Sequence, residues 1–216
     1  LAFHRKPNRG ADMTKIRFET KLGPIVAELF DRQAPRTVAH LLAYVDEGYY
    51  DGASFYRTVR PGNQSPDQAQ IAVLEAGFSN DYYDRMLRGG FFSGEPYDMR
   101  LGPQGSRPCI SVETTAETGL RHRDGVLSFG RCSAESVDDS FFICLGDQPE
   151  LDYGGRRHPD GLGFSACGQV VSGMELVRAI HAQAATGQRL DQPVRIDSLR
   201  REETGGEKLK KDNCQG

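Results

Sequence analysis

The 216-residue chain contains no tryptophan, so it has no indole N–H donor to offer a ligand. Its five cysteines, Cys109, Cys132, Cys144, Cys167 and Cys214, are odd in number and form no C-x-x-C pair. That argues against a disulfide framework and against a thiolate zinc site. Four of them sit in apolar sequence surroundings, where a free thiol behaves as a small hydrophobe. A reduced, cytoplasmic setting is expected, with a periplasmic or secreted one left open. No apolar run approaches the roughly 20 residues that span a bilayer, so no membrane partner is expected. Neither sign of charge dominates. The formal net charge is −3, which gives no basic footprint for nucleic acid. His122 and His158 have no second ligand at metal spacing, and no metal or other cofactor is expected. Glu135, Asp138 and Asp139 read as a solvated acidic loop, and Gly154-Gly155 as a turn rather than a phosphate cradle.

What is present suits one soluble, loop-rich domain: 38% hydrophobic and 26% charged residues, with 25 Gly and 11 Pro. Residues 1–12 are basic and aperiodic and lack the apolar core of a signal peptide. They read as an upstream extension or cloning remnant. The domain proper is expected over residues 13–200. Within it, 79–108 is a long Gly/Tyr/Asp/Arg segment without a period, read as an ordered functional loop or insertion. Residues 201–216 are charged and nearly devoid of apolar side chains, and are expected to be a disordered tail.

Periodicity predicts strands over 15–20 and 24–30, joined by a turn at Lys21-Leu22-Gly23. Pro35 suits the first turn of a helix whose apolar stripe is Val38, Leu41, Leu42 and Val45, ending near Gly48. Further strands are expected over 54–59, 71–76, 125–130, 140–145, 161–171 and 194–199. Ser172-Gly173-Met174-Glu175 has the form of a capping box, with Ser172 as N-cap of a second helix carrying Met174, Val177 and Ile180. Many strands and two separated helices predict a mainly β protein: a closed antiparallel barrel with a helix over each open end.

Three runs, Phe55-Tyr56-Arg57, Gly125-Val-Leu-Ser-Phe-Gly130 and Ser140-Phe-Phe-Ile-Cys144, give this pattern a name. They resemble the cyclophilin family of peptidyl-prolyl cis/trans isomerases, whose corresponding runs are Phe-His-Arg, Gly-hydrophobic-Leu-Ser-Met-Ala and Gln-Phe-Phe-Ile. The likeness covers about 15–200 and is strongest over 113–180. Residues 113–125 and 146–156 look like one bacterial branch. The resemblance implies an eight-stranded antiparallel barrel capped by two helices. It also implies a groove on the outer face that acts on proline-containing peptides and unfolded chains, in a monomer.

Such chemistry needs neither nucleophile nor cofactor. Rotation about a peptide bond meets a barrier of about 18–20 kcal/mol because the nitrogen lone pair is delocalised. A donor aimed at the prolyl nitrogen localises that lone pair and stabilises the twisted state. Arg57 is the candidate donor. Strand alternation puts Phe141 and Phe142 on opposite faces, one in the core and one in the groove. The resemblance makes Phe142 the groove residue and adds Leu151, Val73 and Phe164 to a proline slot. It adds Glu75, Gly130 and Arg131 to the substrate-binding residues.

The chain departs from the family at several of these positions. Glu75 stands where the family has a neutral Gln, Ser140 where it has Gln, and Glu150 where it has Trp or Phe. Ser128-Phe129-Gly130-Arg131 replaces Ser-Met-Ala-Asn, and Cys167 replaces a core Phe. In a 71–76 strand Glu75 shares the groove face with Ile71 and Val73, so a bidentate pair with Arg57 is expected. Two other readings stand beside the isomerase. One is a module that captures proline segments without useful turnover. The other places the functional surface on the 79–108 loop.

Overall fold

A computed structural model of the chain describes residues 13–78 and 109–202. The expectations for 1–12, for the 79–108 loop and for 203–216 lie outside the described residues. Strands β1 (Lys15–Thr20) and β2 (Ile25–Leu29) form the first hairpin, as their alternation predicts. Ile16 and Phe18 are fully buried between half-exposed Lys15, Arg17 and Glu19. The strands β3 (Ser54–Val59), β4 (Val73–Gly77), β5 (Val126–Arg131), β6 (Val137–Cys144), β7 (Ser165–Ser172) and β9 (Arg189–Arg201) complete the barrel. They pair in the order β1-β2-β7-β5-β6-β4-β3-β9, and β9 returns to β1 to close the ring. Every pairing is antiparallel. The expected eight-stranded barrel is therefore the fold. A ninth strand, β8 (Ala185–Thr186), pairs only with β9 and lies outside the ring.

Helix α1 (Pro35–Asp46) buries Val38, Leu41, Leu42 and Val45 as its spacing predicts, and packs on β7 and β9. Helix α3 (Met174–His181) buries Val177 and Ile180 and packs on β2, β3 and β4. A one-turn helix, α2 (Thr115–Thr118), precedes β5. The barrel interior is aromatic at its centre. The Phe18 and Phe141 rings lie 5.6 Å apart, and Tyr50 meets Phe141 edge-on at 5.3 Å.

Several local expectations are corrected. Strand β4 starts at Val73 rather than residue 71, β7 at Ser165 rather than 161, and β9 is twice as long as predicted. Arg201, assigned to the tail, is the last residue of β9 and pairs with Asp46 at 2.6 Å. Ser172 does not cap α3. Gly173 is the N-cap at φ 89°, without a side-chain bond. The capping box belongs instead to α2, where Thr114 and Glu117 satisfy each other's backbone N–H. Asp139 lies within β6 and accepts the Tyr49 hydroxyl at 2.7 Å, so it is not simply solvated. Cys144 and Cys167 are buried and Cys109 partly so, but Cys132 is exposed.

The N-terminus of α1 has no side-chain cap of its own, since Ala34 offers no side-chain acceptor. Glu113, buried beside it, supplies one from far along the chain. Its carboxylate accepts the Thr37 N–H at 2.9 Å and the Thr37 hydroxyl at 2.8 Å, and lies 3.4 Å from the Arg36 nitrogen. A carboxylate there also opposes the positive end of the helix dipole. Replacing Glu113 with Ala leaves these donors unmet in a buried place, at a cost of about 1–3 kcal/mol. A urea titration of Glu113→Ala is expected to show a lower midpoint with unchanged slope.

Candidate active site

In a regular strand Arg57 would share the inner face with Phe55. It does not, because β3 carries a bulge. Phe55 faces Ala76 and Arg57 faces Glu75, so Tyr56 and Arg57 together oppose a single residue of β4. The extra residue reverses the phase of the strand. Phe55 stays in the barrel core, Thr58 is fully buried and Val59 joins the outer apolar cluster. Arg57 is thereby aimed outward, with 18% of its side chain exposed.

Glu75 meets it there. Arg57 Nη1 donates to Glu75 Oε2 at 2.6 Å, and the Tyr56 hydroxyl donates to Oε1 at 2.6 Å. The expected ion pair is present but not bidentate, because Tyr56 takes the second oxygen. The opposite edge of the guanidinium donates to the amide oxygen of Gln188, from Nε at 3.0 Å and Nη2 at 2.5 Å.

The outer face beside Arg57 is apolar. Val59, Ile71, Val73, Val126, Phe142, Cys144, Leu151 and Ala166 form one cluster, with Leu120 and Phe164 packed on its edge. Phe141 and Phe142 lie on opposite faces, as alternation requires, with Phe141 in the barrel and Phe142 outward, as the resemblance implies. The rings of Phe142 and Phe164 meet edge-on at 5.7 Å. Leu151 comes from a 3-10 turn, Pro149–Leu151, and its carbonyl accepts the Phe164 N–H at 2.9 Å. Gly163 makes this approach possible: a Cβ there would lie 2.5 Å from the Leu151 oxygen. Phe142 keeps 5% exposure and Val73 3%, so the accessible part of the cluster is its edge at Leu120 and Phe164.

Arg131 does not face substrate with its side chain, contrary to expectation. Its guanidinium is enclosed. It is held bidentately by Asp160, with both contacts 2.7 Å, and it donates from Nε to the Gly163 carbonyl at 2.7 Å. It also lies 5.5 Å from the centre of the Phe164 ring. Arg131 thus braces the edge of the apolar cluster instead of lining it. Gly130 lies against β6, where a Cβ would come within 2.6 Å of Ser140 Oγ. Glu150, in the place of the family aromatic, is paired with Arg156 at 2.7 Å. An open cleft of about 330 Å³ beside the turn is walled by Arg121, Glu150, Tyr153 and Arg156, and is distinct from the apolar cluster.

A buried polar relay lies under the cluster, unforeseen in the sequence. Asp152 Oδ1 accepts from His122 Nδ1 at 2.8 Å and from the His122 backbone N–H at 3.0 Å. His122 Nε2 lies 2.9 Å from Ser128 Oγ, and its ring stacks on Phe142 at 6.2 Å. The carboxylate assigns the ring proton to Nδ1, leaving Nε2 to accept from Ser128. Burial pushes the Asp152 carboxyl up, but the His122 bonds outweigh it and hold the group below its ordinary value. Ser128 is fully buried and His122 1% exposed, so the relay supports Phe142 and the Leu151 turn rather than meeting substrate. Among the described residues no group of three or more metal-ligating side chains comes together.

A closed antiparallel barrel with an outward arginine beside an external apolar cluster defines a cyclophilin-like protein. The family model described as cyclophilin type peptidyl-prolyl cis-trans isomerase/CLD matches residues 15–201, and the chain belongs to that family. It is 29% identical over 188 residues to a peptidyl-prolyl cis-trans isomerase of Streptomyces antibioticus, covering 87% of this chain and 95% of the relative. It is 30% identical over 173 residues to isomerase B of Escherichia coli strain K12, covering 80% and 86%. Among solved structures it resembles a cyclophilin type isomerase of Cryptosporidium parvum, with TM-score 0.63, 17% identity, and coverage of 89% of this chain and 99% of that one. The same protein, solved in the presence of the dipeptide Ala-Pro, matches with TM-score 0.62.

The Arg131–Asp160 brace gives a pH signature. Hydrogen bonds from the Arg131 guanidinium hold the Asp160 carboxyl far below its ordinary value, against the opposing effect of burial. A carboxyl depressed in the folded state contributes stability above its unfolded value of about 4, and loses it as pH falls further. Asp160 is partly open to solvent, so Asp160→Asn is expected to cost about 1 kcal/mol at neutral pH. Urea midpoints of the two proteins are expected to converge progressively as the pH is lowered below about 4.

Proposed function

We propose that the protein catalyses cis/trans isomerisation of exposed X–Pro bonds in peptides and unfolded chains, and so assists folding. The observation that carries this reading is Arg57, turned outward by the β3 bulge beside the Phe142 cluster. The proline ring packs on the Phe164 edge of that cluster, with Val73, Phe142 and Leu151 behind it. Arg57 then donates to the prolyl nitrogen as the bond twists, where the lone pair is most localised and the bond strongest. Membership of the isomerase family supports turnover over mere capture. We further propose that the protein works as a monomer, and in the cytoplasm, on its odd cysteine count.

Glu75 sets the efficiency. Its bond to Arg57 is a ground-state competitor for the donor that substrate needs. Breaking a charge-assisted contact of this kind costs about 1–3 kcal/mol, or roughly one to two powers of ten in rate. Glu75→Gln keeps the shape and removes the charge, so catalytic efficiency on an Ala-Pro peptide is expected to rise. An equal or lower value would mean that Glu75 does not restrain Arg57.

Arg57→Ala is expected to remove most of the activity, by the roughly hundred- to thousandfold typical of losing a transition-state donor. Its fold should survive, because no core position changes. NMR exchange spectroscopy on the same peptide reads this directly. Undiminished turnover in the folded variant would overturn the assignment.

A further inference from the structure

The two-residue turn Gly187-Gln188 between β8 and β9 belongs to no strand of the closed barrel, yet it is fastened to the loop that follows β3. Gly187 adopts φ 61°, which admits the tight reversal between Thr186 and Arg189. The Gln188 carbonyl accepts the Thr58 N–H at 2.8 Å. Asn63 donates from its side-chain amide to the carbonyls of Thr58 at 2.9 Å and Gly187 at 3.0 Å. The Gln188 side-chain nitrogen donates to the Asn63 carbonyl at 3.0 Å. With its nitrogen fixed on Asn63, the Gln188 amide oxygen must point the other way, onto Nε and Nη2 of Arg57.

We infer that Gln188 is a positioning residue for Arg57: the β8–β9 turn holds the Nε/Nη2 edge of the guanidinium and so sets the direction of its donors. This rests on the reading of Arg57 as the catalytic donor. The geometry favours a positioning role over a structural contact for two reasons. First, Gln188 meets two nitrogens of the guanidinium with one neutral oxygen, which fixes the plane of the group without neutralising its charge. Second, the turn is tied to β3 by backbone and Asn63 bonds that do not involve the Gln188 side chain, so the turn has no need of the Arg57 contact to stay seated. In the family pattern a neutral Gln stands in the Glu75 position, beside the arginine. Here that position holds a carboxylate, and a neutral amide reaches the same guanidinium from residue 188.

The test compares Gln188→Met and Gln188→Ala with the unaltered protein and with Arg57→Ala, on one Ala-Pro peptide across a range of peptide concentrations. Gln188→Met preserves side-chain length and the Thr58 backbone bond, so it remains informative if the alanine variant folds poorly. The expected result is a fall in kcat of roughly tenfold, the value of one hydrogen bond to a charged group, with KM nearly unchanged. Exchange of the Arg57 Nε–H with solvent, followed by NMR, is expected to quicken in both Gln188 variants. In an Arg57→Ala background, adding Gln188→Met is expected to change nothing further. If Arg57→Ala is inactive while Gln188→Met keeps full kcat and a protected Nε–H, the positioning role is overturned and the isomerase reading stands. If Arg57→Ala itself keeps full turnover, the isomerase reading of the site fails first. A further loss from Gln188→Met in the Arg57→Ala background would assign Gln188 a structural role instead.

Discussion

The site depends on one extra residue in β3. Strand alternation allots Phe55 and Arg57 to the same face, and that face is the barrel core. A guanidinium has no place among Phe18, Phe55 and Phe141, since an unpaired buried charge costs several kcal/mol. The bulge at Tyr56 and Arg57 resolves the conflict by letting two residues stand opposite Glu75. Phe55 keeps the core, Arg57 gains the outside, and the strand resumes with Thr58 inward and Val59 outward. Fold and candidate catalysis thus meet at a single backbone irregularity. Removing it would place either a charge in the core or an aromatic ring in solvent.

Around that point the outer face is assembled from loops, and loops need their own fastening. Beside the apolar contacts of Leu151 and Phe164, they are held here by polar ties. Arg131 and Asp160 brace Phe164, and Asp152, His122 and Ser128 brace Phe142 and the Leu151 turn. Arg157, between the Leu151 turn and β7, reaches Gln64 at 2.8 Å and the Ala69 carbonyl at 3.0 Å, tying that loop to the segment before β4. Each tie is directional. A set of directional bonds fixes side-chain positions more narrowly than contact between aliphatic groups does. A surface that must present a ring edge beside a donor at a set distance gains from that narrowness.

Local regularity was readable in the sequence, and long-range polar pairing was not. Alternation put Phe141 and Phe142 on opposite faces, and helical spacing assigned Val38, Leu41, Leu42 and Val45 to the core. Both follow from a fixed period. The resemblance brought Arg57, Glu75, Val73, Leu151 and Phe164 to one face, and the structure places them there. The position of Arg131 in the family pattern says where its backbone lies, not where its longer side chain turns, and that side chain is enclosed. Gln188 lies 131 residues from Arg57, and Glu113 lies 76 from Thr37, separations at which no local pattern operates. The cap of α3 failed for a steric reason. Ser172-Gly-Met-Glu175 has the right letters, but the chain passes so close to β2 that a Cβ at Gly173 would lie 2.7 Å from the Pro24 carbonyl. Close approach selected glycine as the N-cap, and Ser172 remained in β7.

The carboxylate at residue 75 then has a structural logic as well as a catalytic cost. Arg57 and Glu75 are both largely buried, at 18% and 12% exposure. A lone cation in that setting would be expensive, and the neutral Gln188 can orient it without offsetting its charge. Glu75 offsets it, and Tyr56 keeps the carboxylate from closing bidentately over the guanidinium. The contact is therefore strong enough to stabilise the folded protein and incomplete enough to yield. When a proline segment arrives, its carbonyl and prolyl nitrogen compete with one oxygen rather than two. The energy that secures the resting arginine is the same energy that substrate must displace, so stability and rate are set against each other in one hydrogen bond.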